Sequence, residues 1–102
     1  MFIYQFHPGE RPELMTEPSA WSEADEEVSE RHFAYLSRGA EEGKVVMAGR
    51  SQDGVGPAIV IVDFPAEADA RDFMVNDPFV ASGLFTASLH PYRIAISRTE
   101  EW

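Results

Sequence analysis

Cysteine is absent from the 102 residues. That removes disulfides, thiolate nucleophiles and cysteine-based metal sites together, so the fold has to be held by packing alone. Cations are scarce as well: 8 Lys and Arg stand against 18 Asp and Glu, a formal net charge of -10. The basic residues form no patch and no basic helix, and such a field repels phosphate backbones. Nucleic acid and anionic membrane are excluded as partners on this reading. No apolar run approaches the roughly twenty residues needed to cross a bilayer, and "MFIYQFHPG" has neither a basic leader nor a small-residue cleavage site. The expectation is a cytoplasmic protein forming a single domain over residues 1–102. A chain of this length encloses one core but no large internal cavity.

What is present has a clear order. "FIYQFH" (Phe2 to His7) is aromatic and β-branched and is stopped by Pro8-Gly9, which predicts a first strand. A long irregular segment with three prolines follows, Pro8 to Trp21. Long loops inside compact domains often serve as lids, and Met15 and Trp21 provide apolar surface for one. Ser22 with Asp25 three residues on resembles a capping box, and Glu23, Asp25, Glu26 and Glu27 suit the positive end of a helix dipole. The predicted helix runs from about Glu23 to Glu42, with Gly43 at its far end and an apolar stripe carrying Val28, His32, Tyr35 and Leu36. His32 therefore faces the core.

"KVVMAGRS" and "PAIVIVDF" are predicted strands joined by a "QDGVG" hairpin loop, whose glycines need no phosphate to explain them. Ala58 to Val62 is apolar at every position, as in a central strand covered on both faces. "AEADARDFMVND" places Ala66, Ala70, Phe73 and Met74 on one side of a second helix. The last element, "FTASLHPYRIAIS", predicts a long strand interrupted by Pro91, hence an edge strand or a bulged one. The sequence β-α-β-β-α-β is the α+β, ferredoxin-like arrangement, with the first and third strands central. Two helices cover one face of such a sheet. At roughly 25 cal/mol per Å² of apolar area, leaving the other face in water forgoes many kcal/mol, so a homodimer packed sheet against sheet is expected.

Two stretches carry a resemblance. "ERHFAYLSRGAEEGKVVMAGRSQDG" and "EADARDFMVNDPFVASGLFTASLHPYRIAI" combine a helix-borne histidine, an "EEG…AG" passage into a strand, a "DPF" after the second helix and a glycine closing that turn. In order and spacing they resemble the YciI-like (YCII-related domain) family. The resemblance implies a dimeric α+β barrel and a His/Asp pair as active site, at His32 and Asp77 in this sequence. It also implies lyase, dehydrochlorinase-like or isomerase-like chemistry on a small cyclic organic molecule. No cofactor is expected. Many members carry a proline after the "AG", where this chain has Arg50.

The site residues each carry two readings. Asp77 precedes Pro78 and stands six residues before Gly83, so it suits the N-cap of a short helix as well as a catalytic role. A core-facing histidine is often structural. If the two meet, a carboxylate beside an imidazole fixes its tautomer and favours its protonation, while burial opposes this, and the pair can act as a general base. Arg50 either clamps an anionic ligand bidentately or joins a surface ion pair. His7 and His90 are expected at exposed or edge positions, and no HxH or HxxxH spacing points to a metal. The alternative to an enzyme is a non-catalytic ligand-binding or scaffold module in which His32 is structural and Asp77 a helix cap.

Overall fold

The structure, a computed structural model, describes residues 1–98. Its elements are β1 (Phe2–Pro8), α1 (Glu23–Glu41), β2 (Val45–Arg50), β3 (Ala58–Val62), α2 (Glu67–Val75), α3 (Pro78–Ala81) and β4 (Phe85–Pro91). The strands form one antiparallel sheet in the order β2-β3-β1-β4, which gives the α+β ferredoxin-like arrangement with β1 and β3 central.

Local chemistry starts and stops these elements. Ser22 Oγ accepts from Asp25 N while Asp25 Oδ2 accepts from Ser22 N, a complete capping box that begins α1 at Glu23. Near the other end, Gly39 sits where a Cβ would come within 2.7 Å of Val45 Cγ2, so only glycine lets α1 lie this close to β2. α2 stops at Val75, two residues ahead of Asp77, and the chain turns into the short α3. Gly83, at φ 82°, follows α3 in the left-handed conformation that glycine adopts freely, and turns the chain into β4.

Register sorts the sheet into two faces, because residues paired across strands point the same way. Phe2, Tyr4 and Phe6, with Val62, Val60, Ala87 and Leu89 opposite them, face the helices. Tyr4, Val60 and Val62 are fully or almost fully buried there and anchor the core with Val45, Ala70, Met74 and Phe85. Ile3, Ile59 and Ile61 alternate to the opposite face. Ile61 is buried yet lies outside the core cluster.

Three expectations need adjusting. The final strand ends at Pro91 instead of continuing to Ser97. Pro91 pairs with Phe2, the first residue of β1, so β4 has no neighbouring strand beyond it; one further bond, Tyr92 N to Met1 O at 2.9 Å, closes the edge. The segment after β1 is not without structure of its own. It makes two 3₁₀ turns, Pro12–Met15 and Pro18–Ala20, with Leu14 buried in the core and Trp21 Nε1 donating to Leu14 O at 3.0 Å. His7 belongs to the central strand β1, half-buried, with Nε2 within 2.8 Å of Ser88 Oγ. His90 is exposed near the end of β4.

Candidate functional site

The site grows from the junction of α2 and α3. Asp77 is the N-cap of α3, its Oδ1 accepting from Phe79 N at 3.0 Å with Pro78 in the first turn. The same carboxylate is fully buried. Its Oδ2 accepts from the Tyr4 hydroxyl at 2.7 Å, and its Oδ1 lies 2.7 Å from His32 Nδ1. Asp77 is thus at once the cap of α3 and the hydrogen-bond partner of His32.

A carboxylate meeting a backbone N–H, a phenol and an imidazole can serve all three only as an acceptor, so Nδ1 carries the hydrogen and donates it to Asp77. Burial pushes the Tyr4 phenol far above its ordinary pKa, and the Asp77 charge adds to the shift, so Tyr4 remains a hydrogen-bond donor throughout the physiological range. Nearby, Tyr35 donates to Phe73 O at 2.8 Å and is pushed up to about 12, first by burial and then by the charges of Asp77 and Asp72. The imidazole is further held by rings. It stacks on Phe79 with centroids 3.9 Å apart and planes 23° apart, and meets Phe6 edge-on at 5.5 Å.

With Nδ1 committed to Asp77, Nε2 is the free edge of the ring. The His32 side chain is 15% exposed, and no buried side-chain nitrogen or oxygen among the described residues lacks a partner, so Nε2 reaches solvent. It does so in a cleft of about 580 Å³ lined by Phe6, Trp21, Phe33 and Phe79 as well as His32. Arg50 lines the same cleft. Among the described residues it makes no ion pair. The hairpin beside it is rigidified by Asp53, whose Oδ1 accepts from Gly56 N, Ser51 Oγ and Val55 N. Those bonds, the Gly56 N–H foremost, hold its carboxyl at about 2.

His32, Asp77 and Arg50 therefore come to one region, although 45 residues separate the first two. Sequence reasoning missed Tyr4, which it treated as one more apolar strand residue. The signal was available: alternation puts Tyr4 on the helix side with Phe2 and Phe6, and a buried tyrosine hydroxyl needs a partner. Among the described residues no three His, Asp or Glu side chains converge to hold a metal ion, and no helix is long and apolar enough to cross a membrane.

Comparison with known proteins agrees with this architecture. The family model of the YCII-related domain matches residues 3–89. A search of curated proteins gave no match. Among solved structures, the chain is similar to 5-chloro-2-hydroxyhydroquinone dehydrochlorinase (TftG) from Burkholderia phenoliruptrix AC1100 in complex with 2,5-dihydroxybenzoquinone. The TM-score is 0.61 at 18% identity, over 91% of this chain and 94% of that one, a likeness of fold.

Proposed function

The chain belongs to the YCII-related domain family, and from that premise we propose that it is a small-molecule enzyme of lyase or isomerase type in which His32 is the general base. The observation that carries this reading is the 2.7 Å bond between His32 Nδ1 and the buried Asp77 carboxylate, which leaves Nε2 turned to the cleft. An acidic C–H or O–H of the substrate is transferred to Nε2. Its electron pair then shifts within the substrate, either expelling a leaving group or moving a double bond. The imidazolium formed is stabilised by Asp77, and the proton is returned to substrate or solvent. Arg50 is the ligand-binding cation of the same cleft. The fold shared with a dehydrochlorinase crystallised with a quinone supports this class of chemistry and does not specify the substrate.

The helix-free face supports a homodimer. Ile3 and Ile59 are only half-buried there, beside the buried Ile61, and a second copy meeting this face sheet to sheet closes the α+β barrel. A second reading, a non-catalytic binding module, is favoured by the stacking of His32 on Phe79, which would suit a structural imidazole. Turnover separates the two. Incubation with a panel of chlorinated hydroquinones, followed by chloride release and by deuterium incorporation from D₂O, is expected to find a substrate whose rate falls by about 10²–10⁴ in His32→Gln. Equal rates in wild type and His32→Gln, with both folded, would refute the base assignment.

A further inference from the structure

The make-up of the cleft goes beyond the presence of a base. In a chain with a net charge of -10, one guanidinium lines the cleft, and among the described residues it has no ion-pair partner. Arg50 pairs with Ala58, which pairs it to the helix-facing side of the sheet, the side on which His32 stands. Three carboxylates also border the cleft: Glu17, Glu26 and Asp53. Asp53 is occupied by the hairpin, with Gly56 N, Ser51 Oγ and Val55 N on its Oδ1. Glu17 and Glu26 are exposed carboxylates, so among the residues lining the cleft Arg50 is the cation with which an anion can pair. The walls are aromatic: Phe6, Trp21 and Phe79 are partly or wholly buried, whereas Phe33 is 73% exposed, a large ring presented to solvent with no cover. A flat ring laid against such faces buries apolar area at little cost in its own conformational freedom.

We infer that the substrate is a planar aromatic or quinoid monoanion, its acid group paired with Arg50, its ring against Phe33, and its reacting hydrogen toward His32 Nε2. This rests on the reading of His32 as the base and adds the class of molecule it acts on. Arg50 is a binding residue here, supplying two parallel N–H donors to a carboxylate or phenolate.

Three simple probes test it: benzoate, a planar anion; benzamide, its neutral isostere; and cyclohexanecarboxylate, an anion without a flat ring. Affinity is read by NMR titration of the full chain, with the His32 ring Cε1–H resonance as reporter. Benzoate is expected to bind wild type about tenfold more tightly than either analogue, the equivalent of about 1.4 kcal/mol. Arg50→Gln, at an exposed position and so expected to stay folded, should erase the preference for benzoate over benzamide. Phe33→Ala should erase the preference over cyclohexanecarboxylate. Benzamide binding wild type as tightly as benzoate, or a benzoate-to-benzamide ratio unchanged in Arg50→Gln, overturns the anion assignment while a responding His32 leaves the site intact. A His32 resonance that no probe moves overturns both the substrate class and the site on which it rests.

Discussion

Removing the Asp77 carboxylate tests the construction of the site most directly, because a helix cap and a network hub differ in what they cost. Asp77→Ala deletes the acceptor for three donors: Tyr4 Oη at 2.7 Å, His32 Nδ1 at 2.7 Å and Phe79 N at 3.0 Å. Loss of a cap alone costs about 1 kcal/mol. A buried donor left without a partner costs about 1–3 kcal/mol. The Tyr4 hydroxyl bears this in full because Tyr4 is 0% exposed, whereas the partly exposed His32 can recover some of it from water. The sum is about 3–5 kcal/mol, a large fraction of a typical domain's stability of about 5–15 kcal/mol. Asp77→Asn should cost only about 1–2 kcal/mol, since its oxygen can keep Phe79 N and His32 while the Tyr4 hydroxyl rotates to accept from the amide. Asp77→Ser, which restores the cap alone, should fall between the two. Urea denaturation at one fixed protein concentration gives these differences, provided the slopes agree among variants. The cycle Tyr4→Phe, Asp77→Ala and the double variant should show a coupling above about 1 kcal/mol. An Asp77→Ala cost near 1 kcal/mol with no coupling to Tyr4 would refute the network and leave Asp77 a cap.

Further outcomes follow from other parts of the molecule. Asp25 is held at about 2, mainly by the Arg11 guanidinium at 2.6 and 3.1 Å and then by Ser22 N. Because this folded value lies below the unfolded value of about 4, its contribution is complete above about pH 4 and is lost as pH falls toward 2. Asp25→Asn should therefore be less stable than wild type at neutral pH, and the gap should close between about pH 4 and pH 2; a gap unchanged at pH 2 would be the contrary result. Light scattering should give twice the chain mass, and Ile61→Lys should halve it; a compact wild-type monomer would remove the barrel. For the segment over residues 8–21 as a lid, limited proteolysis should nick it first, and less readily with benzoate bound. Cleavage elsewhere first would mark it as fixed structure, pinned by Leu14 and by the Trp21 bond.

The features legible in the sequence are those decided within a few residues. Ser22 and Asp25 form their capping box across three positions, Asp77 caps α3 two residues ahead of Phe79 N, and the unbroken apolar run of β3 marks it as central. Each follows from local geometry or from period, and neither needs the rest of the chain. Family resemblance then singled out His32 and Asp77 as a pair, which local patterning alone could not do. Tertiary structure decided everything that joins distant segments. Tyr4 lies 73 residues from the carboxylate it holds, and Arg50 enters the His32 cleft only because its register with Ala58 turns it to the helix side. β4 stops at Pro91 because β1 begins at Phe2, a limit set by the partner strand and invisible in the apolar residues beyond. A strand's length, a buried hydroxyl's partner and a cation's availability are properties of neighbours, and the chain acquires those neighbours only when it folds.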